Sequence, residues 1–400
     1  MTAGFYIHIP FCEKRCGYCD FYTVAQQNAQ IPAFLLALKK EIALYSEAAS
    51  VRDLEFATLY FGGGTPSLLA AKDLRSLTDY VFSNFNFSLQ PEVTVETNPG
   101  TVDLPKLSAY LDAGVNRLSV GIQSFQPDEL KILERIHSAD EAFKTIEFAR
   151  VAGFENISLD LIYALPSQAL ATWQNNLQQA VDLNPEHISA YSLTFEPGTP
   201  FTQKLHQGIV HRAPEEIEKK MYLFTMEFLN AKGYFQYEVS NYAKPALHSL
   251  HNQKYWDGSP YLGLGPSAHS FIQNKRFWNV RNLVKYQDCL EKGRLPVAEE
   301  EQVDSETRCF ERIFLGLRQV HGLHLPSFEA EFGTSFLKKY LQPLSKFFVQ
   351  PLQDDQLILD LTDGKLKMQS DLMEIENGFI RLTRKGFLLS DAICAEFCSN

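Results

Sequence analysis

Residues 5–19 read Phe5-Tyr6-Ile7-His8-Ile9-Pro10-Phe11-Cys12-Glu13-Lys14-Arg15-Cys16-Gly17-Tyr18-Cys19. The first five alternate and carry β-favouring side chains, which predicts a strand. That strand feeds a short loop with cysteines spaced C-x-x-x-C-x-x-C. Thiolates gathered so closely suit a soft metal centre. No fourth cysteine follows, because the position two beyond Cys19 is Phe21. A cube of four irons takes four ligands, so this trio leaves one iron open to another group. An open coordination site is where ligand binding or chemistry occurs. Structural zinc is the competing reading, but it takes four closed ligands, commonly in two C-x-x-C halves. Cys289, Cys309, Cys394 and Cys398 are remote, and His8 sits inside the strand pattern. Spacing alone leaves iron–sulfur and zinc both open.

A length of 400 residues predicts one large domain with a smaller companion. A hydrophobic content of 45% is ordinary for a soluble globular protein. No apolar run approaches the roughly 18 residues of a membrane helix. The net charge of −11 argues against a general nucleic-acid binder. Seven cysteines make an odd count, and Met1-Thr2-Ala3-Gly4 leads directly into the first strand. Both features argue against a disulfide framework and a targeting segment, so a reducing cytoplasm is the expected location.

From residue 5 to residue 195 strand-like and helical stretches alternate. Strands are predicted over 5–9, 56–61, 92–97, 117–123, 156–163 and 187–195. Helices are predicted over about 31–49, 71–85, 105–113 and 170–183, with helical material up to about 152 between the fourth and fifth strands. This order predicts βαβ units and a parallel sheet, apolar because both faces are covered. Periodicity does not say whether the sheet closes. In either case ligands belong at the C-terminal ends of the strands.

The polar oddities fall at those ends. Strand two ends in Gly62-Gly63-Gly64-Thr65-Pro66, which is no Walker loop because no Gly-Lys-Ser/Thr follows. Successive glycines permit close backbone approach to a ligand, and equally a tight turn. Strand three ends in Glu96-Thr97-Asn98-Pro99, where a carboxylate can grip hydroxyls or an ammonium. Strand four ends in Gly121-Ile122-Gln123-Ser124. Asp160 interrupts the apolar strand five, and a buried acid needs a partner or a function. Arg135, after strand four, can supply a positive partner.

Read in order, the cysteine trio, Gly-Gly-Gly-Thr-Pro, Glu-Thr-Asn-Pro and Gly121-Ile122-Gln123-Ser124-Phe125 resemble the radical S-adenosylmethionine superfamily. More narrowly, they are similar to its branch of oxygen-independent coproporphyrinogen III oxidases and HemW haem chaperones, over essentially the whole chain. The resemblance implies an α/β fold, a partial (β/α)6 barrel with a smaller C-terminal winged-helix-like α+β domain. It implies a [4Fe–4S] cluster on Cys12, Cys16 and Cys19, with S-adenosyl-L-methionine chelating the open iron. Carried over by position, Tyr6 and Tyr18 flank cluster and cofactor. Gly63, Gly64 and Thr65 contact the methionine moiety, and Glu96, Gln123, Arg135 and Asp160 hold the rest. The chemistry agrees: carboxylates suit ribose hydroxyls and ammonium groups, and aromatic rings beside a cluster exclude water.

Two features separate the subgroups of this branch. The decarboxylating oxidases carry a further cysteine two residues after the third, whereas this chain has Phe21. The second feature is His251-Asn252-Gln253-Lys254-Tyr255-Trp256, which matches the H-N-x-x-Y-W motif of the chaperone subgroup. It follows Tyr237-Glu238-Val239-Ser240-Asn241-Tyr242-Ala243-Lys244-Pro245, which is also similar to that subgroup. An imidazole can ligate haem iron, and aromatic rings can pack on a flat macrocycle. The implied haem contacts are His251, Tyr255 and Trp256, with His248 a rival ligand.

Further along, Tyr261–Pro266 reads as a glycine-rich turn and 293–301 as a linker. Helical patterns over 305–318 and 325–332 precede an alternating strand over 378–383 and a final helix. Cys394 and Cys398, spaced i, i+4 there, are expected to stay unligated thiols. The expected domains are 1–235, the radical S-adenosylmethionine core; 236–298, the haem-motif segment and connection; and 299–400, the winged-helix-like part. The acidic chain makes nucleic acid an unexpected partner for that wing. The leading expectation is a cytoplasmic chaperone that passes haem to respiratory proteins, with peripheral membrane contact and a homodimer as implied partners. The alternative is an enzyme that cleaves S-adenosylmethionine and decarboxylates coproporphyrinogen III. A zinc-stabilised binding module is the third reading.

Overall fold

The computed structural model describes residues 2–349, 352 and 354–398. It divides into two compact units: Met1–Phe235 with Tyr242–Lys254 and Ser259–Glu301, and Gln236–Asn241 with Tyr255–Gly258 and Gln302–Asn400.

In the larger unit six strands lie side by side in chain order: β1 (Ala3–Ile9), β2 (Glu55–Gly63), β3 (Asn86–Thr97), β4 (Arg117–Gln123), β5 (Ile157–Tyr163) and β6 (His187–Ser192). Every neighbouring pair is parallel. The intervening helices include α1 (Ile31–Ser46), α2 (Ala71–Asn84), α3 (Leu104–Asp112), α4 (Pro127–Ile132), α5 (Ala139–Ala152) and α6 (Leu170–Asp182). Local signals place their ends. Ser138 and Glu141 form a reciprocal capping box at the start of α5. Asp103 accepts the Lys106 N–H at the start of α3, where Pro105 occupies the first turn. The result is the expected α/β fold, a partial (β/α)6 barrel.

Alternation along the strands makes two different faces. Phe5, Ile7, Leu59, Phe61, Val93, Val95, Leu118, Val120, Leu159 and Ile188 are buried on the outer, helix-covered side. Phe5 packs there against Phe56, Phe85 and Phe87 at 4.9–6.0 Å between ring centroids. Burial of each such side chain contributes about 1.5–3 kcal/mol. The inner side carries Tyr6, Thr58, Tyr60, Glu92, Glu96, Arg117, Ser119, Ser158, Asp160, His187 and Ser189, with cross-strand pairs Tyr60–Glu96, Arg117–Glu92, Ser119–Asp160 and Ser158–His187. An ordinary (β/α) barrel fills its interior with branched apolar residues; this one turns a row of polar side chains inward.

Beyond β1 the sheet continues through β7 (Tyr261–Leu264), β8 (His269–Ile272), β9 (Lys275–Asn279) and β10 (Val297–Gln302). The expected turn over Tyr261–Pro266 is therefore corrected. Its first four residues form β7, parallel to β1 with Gly263 opposite Tyr6. A Cβ on Gly263 would lie 2.2 Å from the His269 carbonyl oxygen, so the glycine serves a close strand crossing; the turn starts only at Gly265. The expected linker over 293–301 is likewise half strand. β10 closes the sheet edge with Glu300 and Glu301 paired to Lys275 and Arg276 at 2.6 and 3.0 Å. Charged side chains of this kind protect an edge strand from further pairing.

The smaller unit holds α9 (Ser305–Leu317), α10 (Leu325–Phe332), α11 (Ser390–Ala395) and an antiparallel sheet in the order β11-β14-β13-β12. Those strands are β11 (Leu323–His324), β12 (Met368–Gln369), β13 (Met373–Glu376) and β14 (Phe379–Leu382). Cys394 and Cys398 are free thiols, the first buried beside the Arg318 guanidinium. No helix among the described residues is long and apolar enough to cross a membrane.

Candidate functional site

The cysteine loop sits on the C-terminal rim of the barrel because β2 anchors it there. The Gly64 and Thr65 N–H groups donate to the carbonyls of Ile9 and Phe11, each at 2.8 Å. A Cβ on Gly64 would lie 2.7 Å from the Phe11 carbonyl oxygen, so only glycine lets the loop lie so close. Thr65 Oγ1 then donates to Cys12 Sγ at 3.5 Å and accepts from Asn98 Nδ2 at 2.9 Å. From the other side Arg135 reaches in. It donates to Cys16 Sγ at 3.8 Å, Asn98 Oδ1 at 2.6 Å and the Gly121 carbonyl at 2.8 Å. Its charge also faces the Tyr18 hydroxyl, whose ring packs edge-on against Phe201 at 6.4 Å.

Glu134 supports the outside of the loop. Its carboxylate meets Lys204 at 2.6 Å and Lys14 at 4.0 Å. α7 (Pro200–His206) adds a bond from the Phe201 N–H to the Gly17 carbonyl at 3.0 Å. Cys12, Cys16 and Cys19 are all free thiols. Burial pushes the Cys19 thiol up to about 11, with the two neighbouring thiols adding to the rise. Arg135 opposes that tendency at Cys12. A metal removes such protons outright. Among the described residues, no three His, Cys, Asp or Glu side chains converge as a single-ion site requires. A cube would take the three thiolates on separate irons and leave the fourth open.

Inside the ring, Glu96 accepts from the Tyr60 hydroxyl at 2.9 Å and from the Gly63 N–H at 3.0 Å. Burial pushes its carboxyl up to about 7 despite those donors. Asp160 accepts from the Ser119 hydroxyl at 2.9 Å and the Ser158 hydroxyl at 3.4 Å; burial raises its pKa while these bonds, one from Ser189 and the Arg117 charge lower it. Tyr6 bonds His8 at 3.1 Å and lies parallel to the Tyr60 ring at 6.1 Å. Gln123 ends β4 with φ 66°, beside Gly121. Tyr6, Gly63, Glu96, Gln123 and Asp160 lie within the strand ring yet keep part of their surface open.

Below them the polar groups are closed off. Arg117 is 1% exposed, with Nε 3.9 Å from the buried Glu92 carboxylate. Glu92 in turn accepts the N–H groups of Leu250 and His251, both at 3.0 Å, at the start of α8 (Leu250–Trp256). Ser158 bonds His187 at 2.8 Å. His251 is 1% exposed, with Nδ1 2.7 Å from Thr58 Oγ1. The H-N-x-x-Y-W segment is thus divided. His251 belongs to the barrel unit, whereas Tyr255 and Trp256, both partly exposed, group with the smaller unit. There Gln319 donates to the Trp256 carbonyl at 3.0 Å. His248 is partly exposed and bonds Gln253 at 3.1 Å.

Sequence reasoning missed Tyr60, Asn98, Glu92, Arg117, Ser119 and His187. Their signal was the alternation itself, which put a polar residue at every second position of apolar strands.

Comparison with known proteins places this geometry in a family. The Radical SAM superfamily profile matches residues 6–180, and the HemN C-terminal domain profile matches residues 303–389. A Bacillus subtilis protein named heme chaperone HemW is 38% identical, over 82% of this chain and 87% of that one. A Mycobacterium tuberculosis protein of the same name is 37% identical, over 98% and 93%. The chain belongs to the HemW family. Coproporphyrinogen III oxidase (HemN) from Escherichia coli, a radical SAM enzyme, is similar in structure. Its TM-score is 0.81 at 24% identity, covering 100% of this chain and 90% of that one, a likeness of fold. Membership of the radical SAM superfamily implies a [4Fe–4S] cluster and S-adenosylmethionine. For this HemW-family chain the free thiol trio suits the cluster, and the partly open carboxylates Glu96 and Asp160 suit hydroxyls or an ammonium of the cofactor.

Proposed function

We propose that this protein is a haem chaperone that binds a [4Fe–4S] cluster, S-adenosylmethionine and haem, and hands haem to haem proteins such as respiratory enzymes. The observation that carries the reading is the 33–38% identity to proteins named heme chaperone HemW over most of the chain. Cys12, Cys16 and Cys19 are assigned to the cluster. Tyr6, Tyr18, Gly63, Gly64, Thr65, Glu96, Gln123, Arg135 and Asp160 are assigned to the cofactor pocket. The cluster would supply an iron that accepts the amino and carboxylate groups of the cofactor. Glu96 would receive an ammonium or hydroxyl, and Asp160 would receive hydroxyls deeper in the chamber. Arg135 would hold the loop electropositive and closed onto β4. Tyr255 and Trp256, partly exposed aromatic neighbours, offer a face for a macrocycle.

Cytoplasmic residence, peripheral membrane contact and a homodimer belong to the same proposal. The experiment is haem titration of anaerobically reconstituted protein, with a decarboxylation assay in parallel. A saturable Soret-absorbing complex without conversion of coproporphyrinogen III is the expected result. Conversion of that substrate by a protein that forms no haem complex would replace the chaperone reading with the oxidase.

A further inference from the structure

We infer that His251 is a positioning residue of the cofactor chamber, acting through Tyr60 on Glu96, and does not serve as the axial ligand of haem. The inference rests on the function proposed above, since it divides the residues assigned there to cofactor and to haem.

His251 is seated by three strands. Its Nδ1 lies 2.7 Å from Thr58 Oγ1 on β2. Its ring lies parallel to Tyr60 with centroids 4.8 Å apart, and parallel to Tyr6 at 6.2 Å. On β1, even a Cβ added to Gly4 would come within 3.3 Å of the imidazole Cε1. From β3, Glu92 holds the backbone N–H of His251 with one oxygen and that of Leu250 with the other. Haem ligation needs the macrocycle laid across the coordinating nitrogen. A side chain 1% exposed and enclosed by these groups meets that need only by leaving its seat. Leaving would break the Thr58 bond and the stacking on Tyr60.

The seat has a different consequence. The tyrosine that stacks on His251 donates its hydroxyl to Glu96 Oε1 at 2.9 Å, and Glu96 Oε2 accepts the Gly63 N–H at 3.0 Å. His251 therefore fixes the plane of Tyr60, Tyr60 fixes the rotamer of Glu96, and Glu96 keeps part of its surface open. Burial, together with the nearby Arg117 and Lys254 charges, drives the imidazole down to about 3, so it stays neutral throughout the working pH range. Positioning residues that pack a ligand-gripping carboxylate are expected to affect affinity at that carboxylate and little else.

The test uses the full reconstituted chain and four variants: Tyr60→Phe, His251→Ala, His251→Asn and Trp256→Ala. For each, equilibrium binding of S-adenosylmethionine, the cofactor-induced change in the reduced cluster's electron paramagnetic spectrum, and haem titration are measured. The expected result is that Tyr60→Phe and His251→Ala each weaken S-adenosylmethionine about tenfold, the effect of one lost hydrogen bond to a charged group. Both should diminish the spectral change. His251→Asn, which restores a polar atom near Nδ1, should recover part of the affinity. Haem affinity and Soret position should stay within about twofold of wild type in these variants and fall in Trp256→Ala.

Loss or displacement of the Soret band in His251→Ala, with cofactor affinity intact, would overturn the inference. Unchanged cofactor affinity in Tyr60→Phe, which keeps the ring and hence the fold, would also overturn it. Wild-type protein that binds S-adenosylmethionine but no haem would refute the chaperone reading, and the positioning role would then be scored on the cofactor alone. Protein that binds neither ligand refutes both.

Discussion

Two ends of one polar barrel face behave differently. At the mouth, Tyr6, Glu96, Gln123 and Asp160 keep part of their surface open. At the floor, Glu92, Arg117, Ser158, His187 and His251 are closed off and bonded largely to one another. Open polar groups at the C-terminal ends of parallel strands wait for a ligand; closed ones at the opposite end hold the scaffold. Counting polar residues along a strand therefore overstates the ligand site, and accessibility divides the row into its two parts.

The strongest way to test the division is to disable the mouth's cysteine loop while leaving the floor alone. Cys16→Ser should abolish iron and sulfide incorporation on anaerobic reconstitution, with far-ultraviolet circular dichroism unchanged. Cys289→Ser, remote from the loop in sequence, should incorporate both normally. Retention of a full cluster by Cys16→Ser would remove the trio from the site.

Much of this architecture was readable from the sequence. The strands at 117–123 and 156–163 coincide with β4 and β5 almost residue for residue, because apolar side chains alternate with Ser119, Gly121, Ser158 and Asp160. The cysteine loop, glycine turn and Glu96 were visible because each interrupts such a pattern at a strand end. What stayed hidden depends on long-range partners. Glu92 reads as an ordinary polar residue at the start of the strand predicted over 92–97 until its carboxylate meets the Leu250 N–H, 158 positions away. His251 reads as an external ligand in the motif and becomes internal only when α8 closes on β1 and β2. β7 looked like a turn because Gly263 and Gly265 punctuate it; its pairing with residue 6 lies beyond any local window.

At the floor the expected loss is in stability. Arg117→Met leaves the Glu92 carboxylate buried with no cation at hand. Removing one partner of such a pair costs about 3–5 kcal/mol. Urea unfolding of the metal-free protein should show that loss. Arg135→Met at the mouth should cost about 1–2 kcal/mol, the value of its hydrogen bonds, and should show instead as faster cluster loss to a chelator. Equal stability losses in the two variants would erase the contrast between the ends.

A smaller effect comes from Glu96. Burial raises its carboxyl from 4.5 to about 7. A cationic cofactor group prefers the ionised acid, so S-adenosylmethionine affinity should rise with pH, by up to about tenfold per unit below pH 7, and level off above it. The metal-free fold should respond in the opposite direction. Because the folded state holds this proton more tightly than the unfolded one, the Glu96 contribution to stability is fully present below about pH 4.5. It is lost as pH rises through about 7. Glu96→Gln should flatten both profiles and weaken binding at pH 8. A pH-independent wild-type affinity between pH 6 and 8 would detach Glu96 from the cofactor.

The smallest expected effect lies at the outermost edge of the mouth. Phe21 follows Cys19 by two residues and is 65% exposed. Its neighbours are held without it: the Asp20 carbonyl accepts from Arg281, and the Tyr22 hydroxyl accepts the Leu283 N–H at 2.7 Å. Phe21→Ser should therefore change unfolding free energy by less than about 0.5 kcal/mol, as surface substitutions usually do. Iron incorporation should be equally unaffected, because the ring supplies no ligand. A large exposed aromatic beside a metal loop nevertheless presents apolar surface to whatever docks there. Haem titration of Phe21→Ser against Trp256→Ala separates the two aromatic positions. Weakening confined to Trp256→Ala leaves Phe21 as a bystander of the fold, whereas weakening in Phe21→Ser makes Phe21 a haem contact in its own right.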